Sequence, residues 1–170
     1  MDAIGDALGE LCKIILPIRP ELYIGNPESA VAVCTLSDIA LLGDLASDPG
    51  VLGRVNIVGR LLSENRGIDA MLGYLHDNPR VRTVIVCGTD GAGHRAGHSL
   101  LMLHRYGVDH NGDSDGSSAA NRISRSRSPE PYITASPDQV GHFRRGTSIV
   151  DMTGNSDRTE ILGCIGRYCA

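Results

Sequence analysis

The chain has 170 residues, 41% of them apolar, which is material for one ordinary layered domain. Sixteen Lys and Arg against twenty Asp and Glu leave a net charge of −4, and there is no Trp and a single Phe. These values argue against a general attraction to nucleic acid or anionic lipid.

From the N-terminus, Ile4, Leu8, Leu11 and Ile15 recur at spacings of three and four, which predicts an amphipathic packing helix over 2–16. Acidic Asp2, Asp6 and Glu10 precede the apolar run from Ile14 to Ile18, which is too short for a signal core. No stretch reaches the roughly eighteen apolar residues a membrane span needs, so no direct span is predicted. Cys12, Cys34, Cys87, Cys164 and Cys169 include no CxxC pair; neither a disulfide framework nor a thiolate zinc site is suggested, and a reducing cytoplasm fits best.

After Gly25-Asn26-Pro27, the branched run Ala30 to Leu36 predicts a strand buried on both faces, with Arg54 to Val58 a weaker second strand. Ser63-Glu64-Asn65 opens a predicted helix whose apolar residues run from Ile68 to Leu75 and which stops at Asn78-Pro79. Val81 to Cys87 is the clearest strand. It enters Gly88-Thr89-Asp90-Gly91-Ala92-Gly93 and then a helix bearing Leu100, Leu101 and Leu103 up to Gly107. Ser148 to Met152 and Thr159 to Tyr168 repeat strand and helix. This alternation predicts an α/β fold: a Rossmann-like, doubly wound, mostly parallel sheet in a single domain over 1–170. Residues 109–131, dense in Ser, Gly, Asp, Arg and Pro, read as a flexible insertion. The Arg-Ser alternation from Arg122 to Arg127 reads as a solvated loop rather than a nucleic-acid segment.

In an open parallel sheet, ligands bind beyond the carboxyl ends of the strands, where the loop 88–93 lies. Its glycines permit close approach, but GTDGAG matches neither GxGxxG nor GxxxxGK[ST], which argues against nucleotide phosphate. In Gly93-His94-Arg95-Ala96-Gly97-His98 two imidazoles stand four residues apart and share a face if the helix has begun. Either they ligate a metal, with Asp90, Glu64 or a carbonyl orienting the second ring nitrogen, or they line the helix start without one. Spacing leaves both readings open. Arg95 breaks the HExxH pattern of zinc hydrolases, Ser99 lacks the GxSxG frame, and Cys87 reads as core. His76, His104, His110 and His142 read as surface residues.

TVIVCG followed by GHRAGHSLLMLHRYGVD resembles the signature of the A subunit of tetrahydromethanopterin S-methyltransferase. Tyr23-Ile24-Gly25-Asn26-Pro27-Glu28-Ser29 with Val31-Ala32-Val33 is similar to that family's N-terminal segment, and Ser63-Glu64-Asn65-Arg66-Gly67-Ile68 to its Glu-Asn-x-Gly-Ile stretch. His142-Phe143-Arg144-Arg145 leading into Ile149-Val150-Asp151-Met152 resembles its C-terminal block. The four motifs, in order, cover 22–108 and 137–154.

The resemblance implies a domain that holds a corrinoid (cobalamin, with its cobalt) over the strand ends. The residues implied to bind it are Thr35, Leu36, Glu64, Asn65, Gly88, Thr89, Asp90, Gly93, His94, Gly97 and His98, with His94 as the lower axial cobalt ligand. In that family cobalt accepts a methyl group from methyl-tetrahydromethanopterin and passes it to coenzyme M, a transfer coupled to sodium export by a membrane complex. Other methyltransferase subunits are therefore implied as partners, with membrane association only through them. Three departures stand out. His98 occupies a position where the family has glutamine, no C-terminal membrane anchor is read after the last helix, and 109–131 replaces a more apolar segment. Alternatives that keep the fold are a non-enzymatic relative binding a pterin, nucleotide or metal, and a partner domain of another one-carbon enzyme.

Overall fold

The computed structural model describes residues 22–109 and 120–169. The helix expected over 2–16, Cys12 and His110 lie outside them. In chain order the elements are β1 (Leu22–Ile24), β2 (Val31–Cys34), α1 (Ile39–Ala46), α2 (Pro49–Leu52), β3 (Ile57–Gly59), α3 (Arg66–Asp77) and β4 (Thr83–Gly88). They continue as α4 (Ala96–Tyr106), β5 (Val108–Asp109), β6 (Asn121–Ile123), β7 (Tyr132–Ile133), α5 (Pro137–Gly146), β8 (Ser148–Thr153) and α6 (Arg158–Tyr168).

The branched runs make the centre of the main sheet, because a strand covered on both faces can be apolar at every position. β2 and β4 are buried throughout and pair in parallel, Val31 opposite Thr83 and Cys34 opposite Val86. β8 joins β4 and β3 joins β2, both in parallel, and β1 closes the β3 edge antiparallel. The order is β1-β3-β2-β4-β8.

Side chains alternate across this sheet. Ala32, Cys34, Val84 and Val86 face Ile68, Leu72, Leu100, Leu103 and Phe143 of α3, α4 and α5. Val31, Val33, Ile85 and Cys87 face Leu41, Leu45, Val51, Ile161 and Cys164 of α1, α2 and α6 on the other side. Each such Leu, Ile or Phe contributes about 1.5–3 kcal/mol on burial, so two apolar layers hold together strands of three to six residues. β2 leads through α1 and α2 to β3, whereas β4 leads through α4 and α5 to β8 on the opposite side. The winding therefore reverses between β2 and β4, and the loops after Cys34 and Gly88 flank the ligand crevice of a doubly wound sheet.

Two expectations change over the described residues. The strand expected at 54–58 begins later, because the amides of Arg54 and Val55 bond back to the Val51 carbonyl at 2.9 and 3.1 Å and complete the turn of α2. The expected flexible insertion is ordered over Asp109 and 120–131, while 110–119 lie outside the described residues. β5, β6 and β7 form a small antiparallel sheet. Ile123 and Ile133 are fully buried in the α3–α4–α5 layer. The Arg-Ser alternation resolves into buried Ser124, Ser126 and Ser128 and exposed Arg125 and Arg127.

Gly88 has φ +75°, and a Cβ there would stand 2.5 Å from the Thr35 carbonyl oxygen. Gly88→Ala should destabilise the fold by more than about 1 kcal/mol, because a left-handed backbone and a carbonyl contact oppose it together. A urea midpoint equal to wild type would contradict this close approach of the two loops. Burial also pushes the Cys34 and Cys87 thiols up to about 12. Neither should be alkylated in the native protein at about pH 8, where the thiolate is scarce, and both should react after unfolding; mass spectrometry of alkylated peptides reads the difference.

Candidate functional site

Three loops leave the carboxyl ends of parallel strands and are tied to one another. Ser37, after β2, donates from N and Oγ to the Thr89 carbonyl after β4, at 3.0 and 2.6 Å. The loop after β3 joins them through Leu61 N to the Leu36 carbonyl at 3.1 Å and Arg60 Nη2 to the Ser37 carbonyl at 3.2 Å. Thr35 and Leu36 are fully buried, so their side chains lie beneath this platform rather than on it.

The start of α4 is organised from outside the helix. Arg95, the residue before it, takes the left-handed conformation with φ 48° and gives no side-chain cap. Asp90 substitutes: its Oδ1 accepts from Gly97 N and its Oδ2 from His98 N, each at 3.0 Å. Gly97 is needed there, since a Cβ would lie 2.9 Å from Leu36 Cδ2 and 3.1 Å from Asp90 Oδ2. Because α4 begins at Ala96, His94 sits in the preceding turn, so the condition for the two histidines to share a helical face is not met.

The two imidazoles then differ in what their nitrogens can do. His94 Nδ1 lies 2.9 Å from Glu64 Oε2. Where the carboxylate is ionised and the ring neutral, the carboxylate only accepts, so Nδ1 is the donor and Nε2 keeps its lone pair. The His94 side chain is 67% exposed and that of Glu64 1%, so a buried carboxylate holds a largely exposed ring. His98 Nε2 instead accepts from Arg127 N at 3.3 Å, so its lone pair is already engaged by the main chain. Glu64 Oε1 accepts from Glu130 N at 3.0 Å, which gives both carboxylate oxygens a partner.

The remaining predicted residues have structural places. Asn65 caps α3 by accepting from Arg66 N at 2.7 Å, assisted by Ser63 Oγ, which accepts from Gly67 N at 2.8 Å. A Cβ at Gly93 would meet nothing within 4 Å, so the surface beside His94 is open. Sequence reasoning missed Ser126, Ser128 and the Glu130 amide, which reach the site from the far end of a segment that reads as a solvated loop. His104 and His142, which read as surface residues, are half-buried. His104 Nε2 lies 2.8 Å from the Thr147 carbonyl and its ring packs edge-on against Phe143. His142 packs edge-on against the exposed His76 at 5.8 Å between centroids.

Asp90→Ala should cost about 1–2 kcal/mol through two uncapped amides at the start of α4. Hydrogen exchange at Gly97 and His98 should accelerate with it, and unchanged exchange there would remove Asp90 from this role.

The family model MtrA, for the A subunit of tetrahydromethanopterin S-methyltransferase, matches residues 16–170. The A subunit of the putative methyltransferase Mtx of Methanosarcina acetivorans is 33% identical over 153 residues, covering 89% of this chain and 68% of that protein. The A 2 subunit of tetrahydromethanopterin S-methyltransferase of Methanothermobacter marburgensis is 35% identical over 147 residues, covering 86% and 72%. For the corresponding A subunit of Methanohalophilus mahii the identity is 28% over 154 residues, 90% of this chain and 58% of that protein. The chain, with its doubly wound sheet and its histidine loop over the strand ends, belongs to the family of tetrahydromethanopterin S-methyltransferase A subunits.

Proposed function

We propose that this chain is the corrinoid-carrying subunit of a methyltransferase, with His94 Nε2 as the lower axial ligand of cobalt. The observation that supports the reading is the pair formed by buried Glu64 and exposed His94, which occupies Nδ1 and leaves Nε2 of an exposed ring for a ligand, beside an open surface at Gly93. The donor set fits such a group: a metal already held by a macrocycle needs a single axial donor from the protein. Imidazole is a suitable donor for cobalt, and a carboxylate behind it is the usual orienting partner.

A corrinoid bound there would supply the methyl-transfer chemistry, taking the group from a methyl-pterin and passing it to a thiol acceptor. The protein's part is to hold and orient. Glu64 keeps the proton on His94 Nδ1 and fixes the ring plane, which leaves Nε2 as the donor. Gly93 borders the open face, while Asp90 holds the loop against the start of α4 through Gly97 N and His98 N. Further subunits supplying the pterin and thiol sites are expected partners, since the relatives are named as one subunit of a larger enzyme. Among the described residues no helix is long and apolar enough to cross a membrane, so attachment to a membrane complex would run through such subunits or through parts outside the described residues.

The test is spectroscopic. The 170-residue chain is incubated with cobalamin, reduced to cobalt(II) and examined by electron paramagnetic resonance with nitrogen-15 labelled histidine. Wild type and His98→Ala should both show histidine nitrogen coupling, and His94→Ala should lose it. Glu64→Gln should keep it while weakening binding about 10–100-fold. Coupling that survives His94→Ala and disappears in His98→Ala would transfer the assignment to His98, and no binding by wild type would overturn the reading altogether.

A further inference from the structure

The segment 124–130 runs along α4 from its C-terminal end, where Ser124 N donates to the Gly107 carbonyl, to its start, and its inward side is a row of hydroxyls. Ser126 is 4% and Ser128 7% exposed, and both meet Ser99 of α4, which is fully buried. Ser99 Oγ lies 2.7 Å from each of the two hydroxyl oxygens. Ser128 Oγ is 3.0 Å from the Arg95 carbonyl, and Ser128 N donates to Ser126 Oγ at 3.2 Å.

A hydroxyl has one proton to give, and this fixes the direction of the cluster. The Arg95 carbonyl can only accept, so Ser128 donates to it. Ser128 must then accept from Ser99, and Ser99 in turn accepts from Ser126. Ser126 takes the Ser128 amide on its remaining lone pair. Every hydroxyl donates once, and the chain ends on a carbonyl that also receives Ser99 N at 3.1 Å. The acceptor belongs to Arg95, the left-handed residue directly after His94, whose φ of 48° sets how the turn that carries His94 joins α4. Buried hydroxyls without partners are costly, so the chain resists any rotation of that carbonyl. The same segment delivers the Glu130 amide to Glu64 Oε1 at 3.0 Å.

We infer that Ser128 is a positioning residue for His94, acting through the directional chain Ser126 to Ser99 to Ser128 to the Arg95 carbonyl. The inference rests on the reading of His94 as an axial ligand: the serines hold the backbone side of the ring while Glu64 holds its Nδ1. They touch neither cofactor nor substrate. The tautomer of His94 reports both holds, because a neutral ring held against the Glu64 carboxylate has its proton on Nδ1.

The experiment needs no corrinoid, so its failure is distinct from failure of the proposed function. Imidazole nitrogen-15 spectra of the whole chain, above the pH where histidines are protonated, should give His94 as the Nδ1–H tautomer with two widely separated ring signals. In Ser128→Ala that separation should collapse towards the averaged values of an unrestrained ring, while circular dichroism keeps the native signature. Ser128→Thr, which keeps the hydroxyl, should restore it. A folded Ser128→Ala protein with wild-type His94 signals overturns the inference. Should Ser128→Ala fail to fold, Ser126→Ala removes only the first donor of the chain and should shift the same signals less in the same direction; no shift there overturns it as well. Loss of cobalamin binding by wild type alongside the expected tautomer changes would sink the proposed function and leave the positioning role standing.

Discussion

The site depends on one buried carboxylate. Glu64 is almost completely removed from water, where an unpaired negative charge would cost several kcal/mol. It is tolerable because each oxygen meets a donor, His94 Nδ1 on one and Glu130 N on the other. The two donors come from segments 36 residues apart in sequence, and Glu64 itself follows a third strand. Three loops are thereby coupled through a single side chain, since withdrawal of any one leaves an acceptor unmet in the interior. A surface ion pair has no such authority, and pairs such as Arg80 with Glu28, both about two-thirds exposed, shape nothing beyond themselves.

A second carboxylate, on the helix that Glu64 leads into, completes the clamp. Asp69, in the first turn of α3, accepts from Thr134 N, Thr134 Oγ1 and Ala135 N at 2.8–3.0 Å. Glu64 and Asp69 together grip the chain on both sides of β7, so the segment that delivers Glu130 is anchored at two points, one just before α3 and one within it. Ile123 and Ile133 add apolar burial beneath it. The position of His94 is thus a consequence of how α3 meets the small sheet as much as of its own loop.

The parts that could be read from sequence are those where composition and periodicity answer to one local cause. β2 and β4 announce themselves because central parallel strands are continuous apolar runs, and α3 because Asn65 and Asn78-Pro79 bracket its apolar face. The Glu64–His94 pair was within reach only as one of several partners, because nothing local to residue 94 says which carboxylate comes near. α5 carries a legible signal of its own: Ser136 with Pro137 and Gln139 is a capping box, and the structure forms it in full. The serine row was not legible. Low hydropathy and alternating Arg-Ser describe a solvated loop equally well when the serines have no partners, and their partners here are mostly one another and a residue 27 to 29 positions earlier.

Backbone strain marks the same region independently. Among the described residues three that are not glycine have positive φ: Leu36 at 52°, Arg95 at 48° and Arg125 at 60°. A left-handed residue with a Cβ costs about 1–2 kcal/mol, so each needs compensation. Leu36 has it in complete burial against the position of Gly97. For Arg95 it comes from the two donors on its carbonyl, and for Arg125 from the Tyr106 ring, whose centroid lies 4.4 Å from the guanidinium carbon. Leu36 and Arg95 lie in the loop after β2 and the turn before α4, which converge on His94 and Glu64, whereas Arg125 packs over Tyr106 at the far end of α4. Regular elements could have been joined by relaxed turns at these points. That the chain instead accepts strained residues at Leu36 and Arg95, in the loops beside one exposed imidazole, and supports each from a different neighbour, ties that part of the backbone cost to the loops that carry the ring rather than to the sheet beneath them.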